Sequence, residues 1–388
     1  MFSQQGADAL YVHIPFCPHK CFYCDFNSYV VESEDPVWKY VYALEREMAL
    51  TVAQHPPAEI RTIFIGGGTP TSLSPAQMEV VFEALHRHVP NRSAQLEMTM
   101  EANPGTLDRA KLQAMRAGGV NRISLGAQTF DERLLKEIGR IHSADDVTHS
   151  IEIARQEGFE NLSIDLMFGL PGQTLAMVRE AVERVLAFDL PHISLYGLKI
   201  EENTVFHSLY MRNQLVLPDE DTEVEMYRLI IEAMKQRGYE QYEVSNFAKP
   251  GFASRHNMAY WQNHAYYGVG AGAHGYMNGW RHVNVKGVQA YIDACAHGLP
   301  RLETNEVERK EAEEDFMMVG LRLLAGIRAQ DYLAQFGEHW TASFQTIFDE
   351  LCEKRLLERT ASGYRLTDSG LFVGNEVFGR FVGAISDL

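Results

Sequence analysis

Three cysteines fall within eight residues near the start of the chain: Cys17, Cys21 and Cys24 in YVHIPFCPHKCFYCDF, just behind a short apolar run. With three and then two residues between them, one turn of chain can aim all three sulfurs at a small centre. Zinc is one candidate, since it takes four ligands in a tetrahedron and His13 or His19 could supply the fourth. A [4Fe-4S] cluster is the other. Its four corners normally each take a thiolate, so three cysteines leave one iron open to chelation by a small molecule. The spacing favours the cluster, because zinc patterns usually come as paired CxxC hooks. The other two cysteines, Cys295 and Cys352, lie in helix-like runs far along the chain. An odd total with three clustered is the pattern of a metal or redox site in a reducing compartment, not of a disulfide framework.

Other residue patterns carry chemistry of their own. TIFIGGGTPTSL, residues 62–73, sets Gly67, Gly68 and Thr69 behind an apolar run, where the backbone must turn sharply and can bring polar groups close to a ligand. No Gly-Lys-Ser/Thr follows, so it is not a Walker loop, and a plain tight turn is the alternative. Glu101 and Asp165 interrupt the apolar runs EMTMEANP and LSIDLMFGL, where an unpaired buried carboxylate would be costly; helix capping or pairing with an arginine would explain them structurally. HNMAYW, residues 256–261, places the His256 imidazole, able to bind iron axially, beside the flat faces of Tyr260 and Trp261. One histidine with two aromatics is also an ordinary packing motif. GAGAHG, residues 270–275, fits GxGxxG, but YMNGWRHVNV after it has no helical period, so a tight turn or a wall against a flat ligand is expected there, not a dinucleotide site.

The elements that position these residues follow from periodicity. Short β-rich runs alternate with amphipathic helical ones six times, from ALYVHIPF to TEVEMYRLIIEAMKQRG. Helix starts are signalled by Ser74, Pro75 and Gln77, a capping box with proline at the first helical position, and by Thr174. Six βα units imply a parallel sheet with helices outside. Right-handed crossovers then curl it into an open barrel or a doubly wound layer. In such folds ligands bind at the carboxyl ends of the strands. Residues 17–24 follow strand one, Gly67, Gly68 and Thr69 follow strand two, Glu101 ends strand three and Gln128 strand four. Asp165 lies in strand five and Lys199 near the end of strand six, so polar groups collect at one mouth. The expected organisation is a barrel over residues 1–240, a connecting segment with HNMAYW over 241–300, and a mostly helical, winged-helix-like domain over 301–388, with a hairpin turning at Ser362 and Gly363.

Composition limits the functions. A chain of 388 residues, 46% hydrophobic, can bury one large core and a smaller one. No apolar run approaches the roughly 18 residues of a membrane span and no signal sequence is evident, so a cytoplasmic location is expected. The formal charge of −17 repels phosphate backbones, and residues 301–388 hold ten Lys/Arg against sixteen Asp/Glu, which argues against nucleic acid as a partner even for a winged-helix shape.

HIPFCPHKCFYCDF, IGGGTPT, MEANPGT, NRISLGAQTF, IGRIH and DLMFGLPGQT together resemble the radical S-adenosylmethionine (SAM) proteins, and within them the coproporphyrinogen oxidase-like group, over nearly the whole chain. The resemblance implies an open (β/α)6 partial barrel. It implies a [4Fe-4S] cluster on Cys17, Cys21 and Cys24 whose open iron is chelated by SAM, and a protein electron donor for that cluster. Tyr23 matches the aromatic that borders the adenine. Tyr11, Gly67, Gly68, Thr69, Glu101, Gln128, Arg140 and Asp165 match cofactor contacts, and Lys199 matches more loosely. Two departures separate this chain from the oxygen-independent oxidases themselves: Phe26 stands where they carry a fourth cysteine, and only sixteen residues precede Cys17. With HNMAYW, these point to the heme-chaperone branch of the group, implying that heme is bound near His256, Tyr260 and Trp261 and passed to an acceptor protein. The competing expectation is a radical SAM decarboxylase acting on coproporphyrinogen.

Overall fold

The computed structural model describes residues 6–57 and 59–385. Six βα units build its first half: β1 (Ala9–Ile14) and α1 (Asp35–Gln54), β2 (Ile60–Gly67) and α2 (Pro75–His88), β3 (Arg92–Ala102) and α3 (Arg109–Ala117). They continue with β4 (Arg122–Gln128), α4 (Glu132–Glu137) and α5 (Ala144–Gln156), then β5 (Leu162–Phe168) and α6 (Leu175–Ala187), then β6 (His192–Gly197), α7 (Val205–Met211) and α8 (Glu220–Gln236). Each of these strands pairs in parallel with the next. The expected helix signals operate: Ser74 Oγ accepts the Gln77 N–H while Gln77 Oε1 accepts the Ser74 N–H, and Thr174 caps α6.

Residues set apart by sequence as a connecting segment extend the same sheet. After β7 (Glu240–Glu243), β8 (Asn246–Ala248) and α9 (Arg255–Trp261) come β9 (Tyr266–Val269), β10 (His274–Met277), β11 (Trp280–Asn284), α10 (Val288–His297) and β12 (Arg301–Glu306). The strand order is β12-β11-β10-β9-β1-β2-β3-β4-β5-β6-β8-β7, with β9 parallel to β1 and β8 antiparallel to β6. Residues 301–306, read from sequence as the beginning of a helical region, are an edge strand. Five of the six are exposed, so they carry no apolar alternation that would reveal a strand.

The sheet wraps around α9. The Ser254 N–H at the head of that helix donates to Tyr242 Oη in β7, Tyr242 Oη pairs with His192 Nε2 in β6, and two residues on, His256 meets Thr62 in β2. One short helix thus touches both flanks of the parallel sheet, which therefore curls into an open barrel. The side chains alternate across it. Ile63, Ile65, Met98, Met100, Ile123, Leu125, Ile164, Ile193 and Leu195 pack outward in the core beneath the helices. Their neighbours Thr62, Thr99, Glu101, Arg122, Ser124, Asp165 and Ser194 face the lumen.

A second core holds the rest of the chain: α11 (Arg309–Gly320), β13 (Ile327–Arg328), α12 (Ala329–Phe336), α13 (Ala342–Glu353), β14 (Leu357–Arg359), β15 (Gly363–Leu366), α14 (Asp368–Phe372) and α15 (Gly374–Gly379). Its three strands pair antiparallel in the order β13-β15-β14, a small winged-helix-like unit whose hairpin turns between Arg359 and Gly363. No helix among the described residues is long and apolar enough to cross a membrane.

Candidate functional site

The cysteine loop leaves β1 and is tied down at both ends. The Cys17 N–H donates to the Tyr29 carbonyl and the Tyr29 N–H to the Pro15 carbonyl, while the Phe22 N–H reaches Ile138 beyond α4. Asn27 anchors the far end, its side-chain amide donating to the carbonyls of Ala271 at 2.8 Å and Lys286 at 2.9 Å. This gives GAGAHG a use. Gly270 and Gly272 both have positive φ, and a Cβ on Gly272 would lie 2.6 Å from Asn27 Nδ2, so the glycine turn seats the cysteine loop.

The GGG turn works in a related way. A Cβ on Gly66 would meet Glu101 Oε2 at 2.7 Å, one on Gly67 the His13 ring at 2.4 Å, and one on Gly68 the Phe16 carbonyl at 2.6 Å. The missing side chains therefore make room for protein groups, so that the turn, the cysteine loop and the end of β3 can close on one another.

What they enclose is a cavity of about 290 Å³ at the carboxyl ends of the strands. Cys17, Cys21, Tyr23 and Cys24 line it together with Gly67, Gly68, Thr69, Glu101, Gln128, Arg140 and Asp165. The fold thus brings eleven of the sixteen residues singled out by sequence to a single mouth. Gln128 gets there through an irregularity: the β4–β5 ladder shifts register between Gly126 and Gln128, and Gln128 has φ of 66°, a left-handed conformation uncommon outside glycine.

Asn103, not picked out from the sequence, links the parts. Its side-chain amide donates to Thr69 Oγ1 at 2.9 Å and its oxygen accepts from Arg140 Nη2 at 2.9 Å. Arg140 also donates to the Gly126 carbonyl and, at 3.4 Å, to Cys21 Sγ; Thr69 Oγ1 lies 3.4 Å from Cys17 Sγ. Asn103 carries no signal of its own in MEANPGT beyond its place at the end of a strand.

The donor set suits an iron–sulfur cluster. Three thiols share one wall with a guanidinium beside them, and Arg140 Nε is buried with no partner of its own. Burial pushes the Cys17 and Cys24 thiols up, Cys24 to about 11, so holding them as thiolates requires cationic charge in the cavity. Among the described residues no three His, Cys, Asp or Glu side chains converge on a single ion. A four-iron cluster places each thiolate on a different corner.

Deeper in the lumen stand two carboxyls. Glu101 Oε2 accepts the Gly67 N–H at 3.0 Å, and Ser124 Oγ lies 3.2 Å from both oxygens of Asp165. Burial, then the nearby Asp165 charge, raises Glu101 to about 7; burial also raises Asp165, against hydrogen bonds from Ser194 and Ser124. A carboxyl raised in the fold costs stability as pH climbs from its unfolded value, about 4.5, to its folded one, and that cost is constant above. Glu101→Gln retains an acceptor for Gly67 and is expected to exceed the parent in stability by about 2 kcal/mol above pH 7, with no gain below about pH 4.5. Urea unfolding of the cluster-free chains at pH 5 and pH 8 measures it, and equal midpoints at pH 8 would show a hydrated carboxylate.

Five residues lie elsewhere. Tyr11 is in the lumen beneath the mouth, its hydroxyl 2.9 Å from His13 Nδ1 and its ring stacked on Phe64. Lys199 points outward, its side chain 79% exposed and paired with Glu201 at 2.7 Å. His256 is 1% exposed inside the barrel: Nδ1 is 2.9 Å from Thr62 Oγ1, Nε2 is 2.9 Å from Tyr260 Oη, and the ring stacks on Phe64. Neither ring nitrogen is free. An imidazole–iron bond there requires one of those hydrogen bonds to break. Tyr260 packs edge-on against Tyr266, and Trp261 lies under the Arg322 guanidinium at the other end of α9.

Barrel, cysteine loop and mouth together define a radical SAM protein, and comparison with known proteins agrees. The radical SAM superfamily model matches residues 11–185, and the HemN C-terminal domain model matches residues 307–373. The heme chaperone HemW of Bacillus subtilis is 46% identical over 97% of this chain and 99% of its own, and that of Lactococcus lactis 40% identical over 97% and 98%. Among solved structures, the Escherichia coli coproporphyrinogen III oxidase HemN superposes with a TM-score of 0.84 at 21% identity, covering 97% of this chain and 90% of that one. The chain belongs to the HemW family. As a radical SAM protein it uses a [4Fe-4S] cluster and SAM.

Proposed function

We propose that the chain is a heme chaperone, binding heme and passing it to an acceptor protein, and that it does not oxidise coproporphyrinogen. The observation that carries this is the end-to-end match to relatives named as heme chaperones. The likeness to the oxidase is one of fold. Phe26, at the position where the oxidases are expected to carry a fourth cysteine, lies on the cavity wall and is 58% exposed.

In this reading Cys17, Cys21 and Cys24 hold the cluster. Arg140, beside Cys21, offsets the charge of the thiolates, and Thr69 supplies Cys17 with a hydroxyl partner. The backbone of Gly67 and Gly68 with Thr69 would hold the methionyl part of SAM, Tyr23 would border its adenine, and Glu101, Gln128 and Asp165, which line the same cavity, would meet its polar groups. The chemistry that cluster and SAM supply when bound is one-electron reductive cleavage of the sulfonium. The chain's own residues shield that site: Tyr23, half-buried within the cysteine loop, lines the cavity, and the loop itself is sealed to α4 and α7 through Phe22, whose carbonyl accepts the Phe206 N–H. Heme sits away from this mouth, near α9. The electron donor and the heme acceptor are separate cytoplasmic proteins, and the net charge of −17 disfavours nucleic acid as a partner.

The test is anaerobic reconstitution followed by two assays on one sample. Hemin titration is expected to give a saturable Soret band, and coproporphyrinogen with SAM and a reductant to give no decarboxylation. Turnover of coproporphyrinogen would replace the chaperone reading by the enzyme one.

A further inference from the structure

HNMAYW has two ends with different surroundings. His256, at the start of α9, is locked inside the barrel. The other end emerges at a cavity of about 590 Å³ between the main sheet and the C-terminal unit, a volume within the ~300–1,000 Å³ typical of cofactor sites. Trp261, Tyr276 and Phe316 line it with aromatic surface, and Leu323 and Ile327 add aliphatic surface. His264 lines it as well, three residues beyond the motif.

How α9 ends decides where that histidine stands. Asn263 takes φ of 55°, its N–H donates to the Tyr260 carbonyl at 3.0 Å, and the His264 N–H donates to the Ala259 carbonyl at 2.9 Å. These two bonds with a left-handed residue between them form a Schellman motif, so His264 is held in a fixed relation to Tyr260 and Trp261. Its Nδ1 is 3.5 Å from Asp8 Oδ2, and Asp8 is itself fixed by the Arg61 and Thr62 N–H groups on its carbonyl. A histidine whose one nitrogen faces a carboxylate, leaving the other for iron, is the usual arrangement of a metal-ligating imidazole. By contrast, both nitrogens of His256 already have protein partners.

Resting on the chaperone reading, we propose that heme binds in this cavity with His264 Nε2 as axial ligand. The ring lies against Trp261, Tyr276 and Phe316; Arg328 at the rim pairs with Asp331 through Nε at 2.6 Å and Nη2 at 2.8 Å and keeps Nη1 for a propionate. The site lies at the amino end of β1, where Ala9 pairs with Tyr266, whereas the cysteines follow the carboxyl end of the same six-residue strand. At ~3.3 Å per residue the two sites are separated by roughly 20 Å of strand. Heme bound there is out of contact with the cluster and with SAM. HNMAYW then serves two tasks: its first histidine fastens the helix in the barrel, and its last residue and the turn after it present the ligand.

Titration of the full-length reconstituted chain with hemin and with iron-free protoporphyrin IX tests this. His264→Ala is expected to weaken hemin binding at least tenfold and to shift the Soret band, with protoporphyrin affinity and cluster absorbance unchanged. Ala334→Trp, an exposed position of α12 on the cavity wall, is expected to weaken both porphyrins. If His264→Ala binds hemin with the parent's spectrum and affinity, the inference is overturned while the chaperone reading stands. If the parent binds no hemin at all, that reading fails and this one with it.

Discussion

Replacing any one of Cys17, Cys21 and Cys24 with alanine is expected to take the reconstituted chain from about four irons and four sulfides to nearly none. Each thiol lines the same cavity wall, and no other cysteine can substitute. Cys295 lies on α10, buried among the residues around Glu47, and Cys352 on α13 packs against the second core. Cys295→Ala and Cys352→Ala should therefore keep the full complement. With one thiol missing, two protein ligands remain for a cube that already has one open corner. The burial that raises the neighbouring thiols then works against keeping them ionised. Iron and sulfide analysis with absorbance near 400 nm decides it. A full cluster in Cys21→Ala, or its loss in Cys352→Ala, would assign the ligands differently.

His256→Ala should destabilise the barrel by about 3 kcal/mol or more, whatever its effect on heme. The ring fills space against Phe64 and bridges Thr62 and Tyr260 with its two nitrogens, whereas the backbone N–H of residue 256, which donates to Glu97 Oε1 at 3.1 Å, is kept in the variant. Truncation leaves a void and two hydroxyls without their partner, in a lumen where burial already holds the imidazole neutral, its pKa down to about 3. Thermal unfolding of the cluster-free chain measures the loss. His256→Phe keeps the ring's bulk and its face against Phe64 while removing the nitrogens. It should recover part of the stability and still bind hemin with the parent's Soret band. An unchanged melting temperature for His256→Ala would show that α9 is not anchored this way. A lost Soret band in a well-folded His256→Phe would return the axial ligand to His256.

Local sequence by itself determined the repeating units and the chemistry they carry. Periodicity and capping residues such as Ser74, Gln77 and Thr174 act over a few positions, and the spacing of Cys17, Cys21 and Cys24 is a property of one loop. Glu101 and Asp165 stood out because a carboxyl within an apolar run is costly wherever it occurs. Their meaning needed the sheet. With a side-chain period of two, their strands turn the apolar residues outward and the polar ones into a lumen, which only curvature creates. Tertiary structure alone placed Asn103 between Thr69 and Arg140, set the three glycines against Glu101, His13 and Phe16, and added residues 301–306 to the edge of the main sheet. It also decided the fate of the histidines. His256 and His264 are eight residues apart on one short segment, yet one is closed inside the barrel and the other lines an open cavity. The physical reason is distance along the chain. Helix starts, loop spacings and βα units are set by neighbours in sequence, whereas Thr62, Tyr242 and Asp8, which choose the role of each imidazole, are brought together only when the sheet curls around α9.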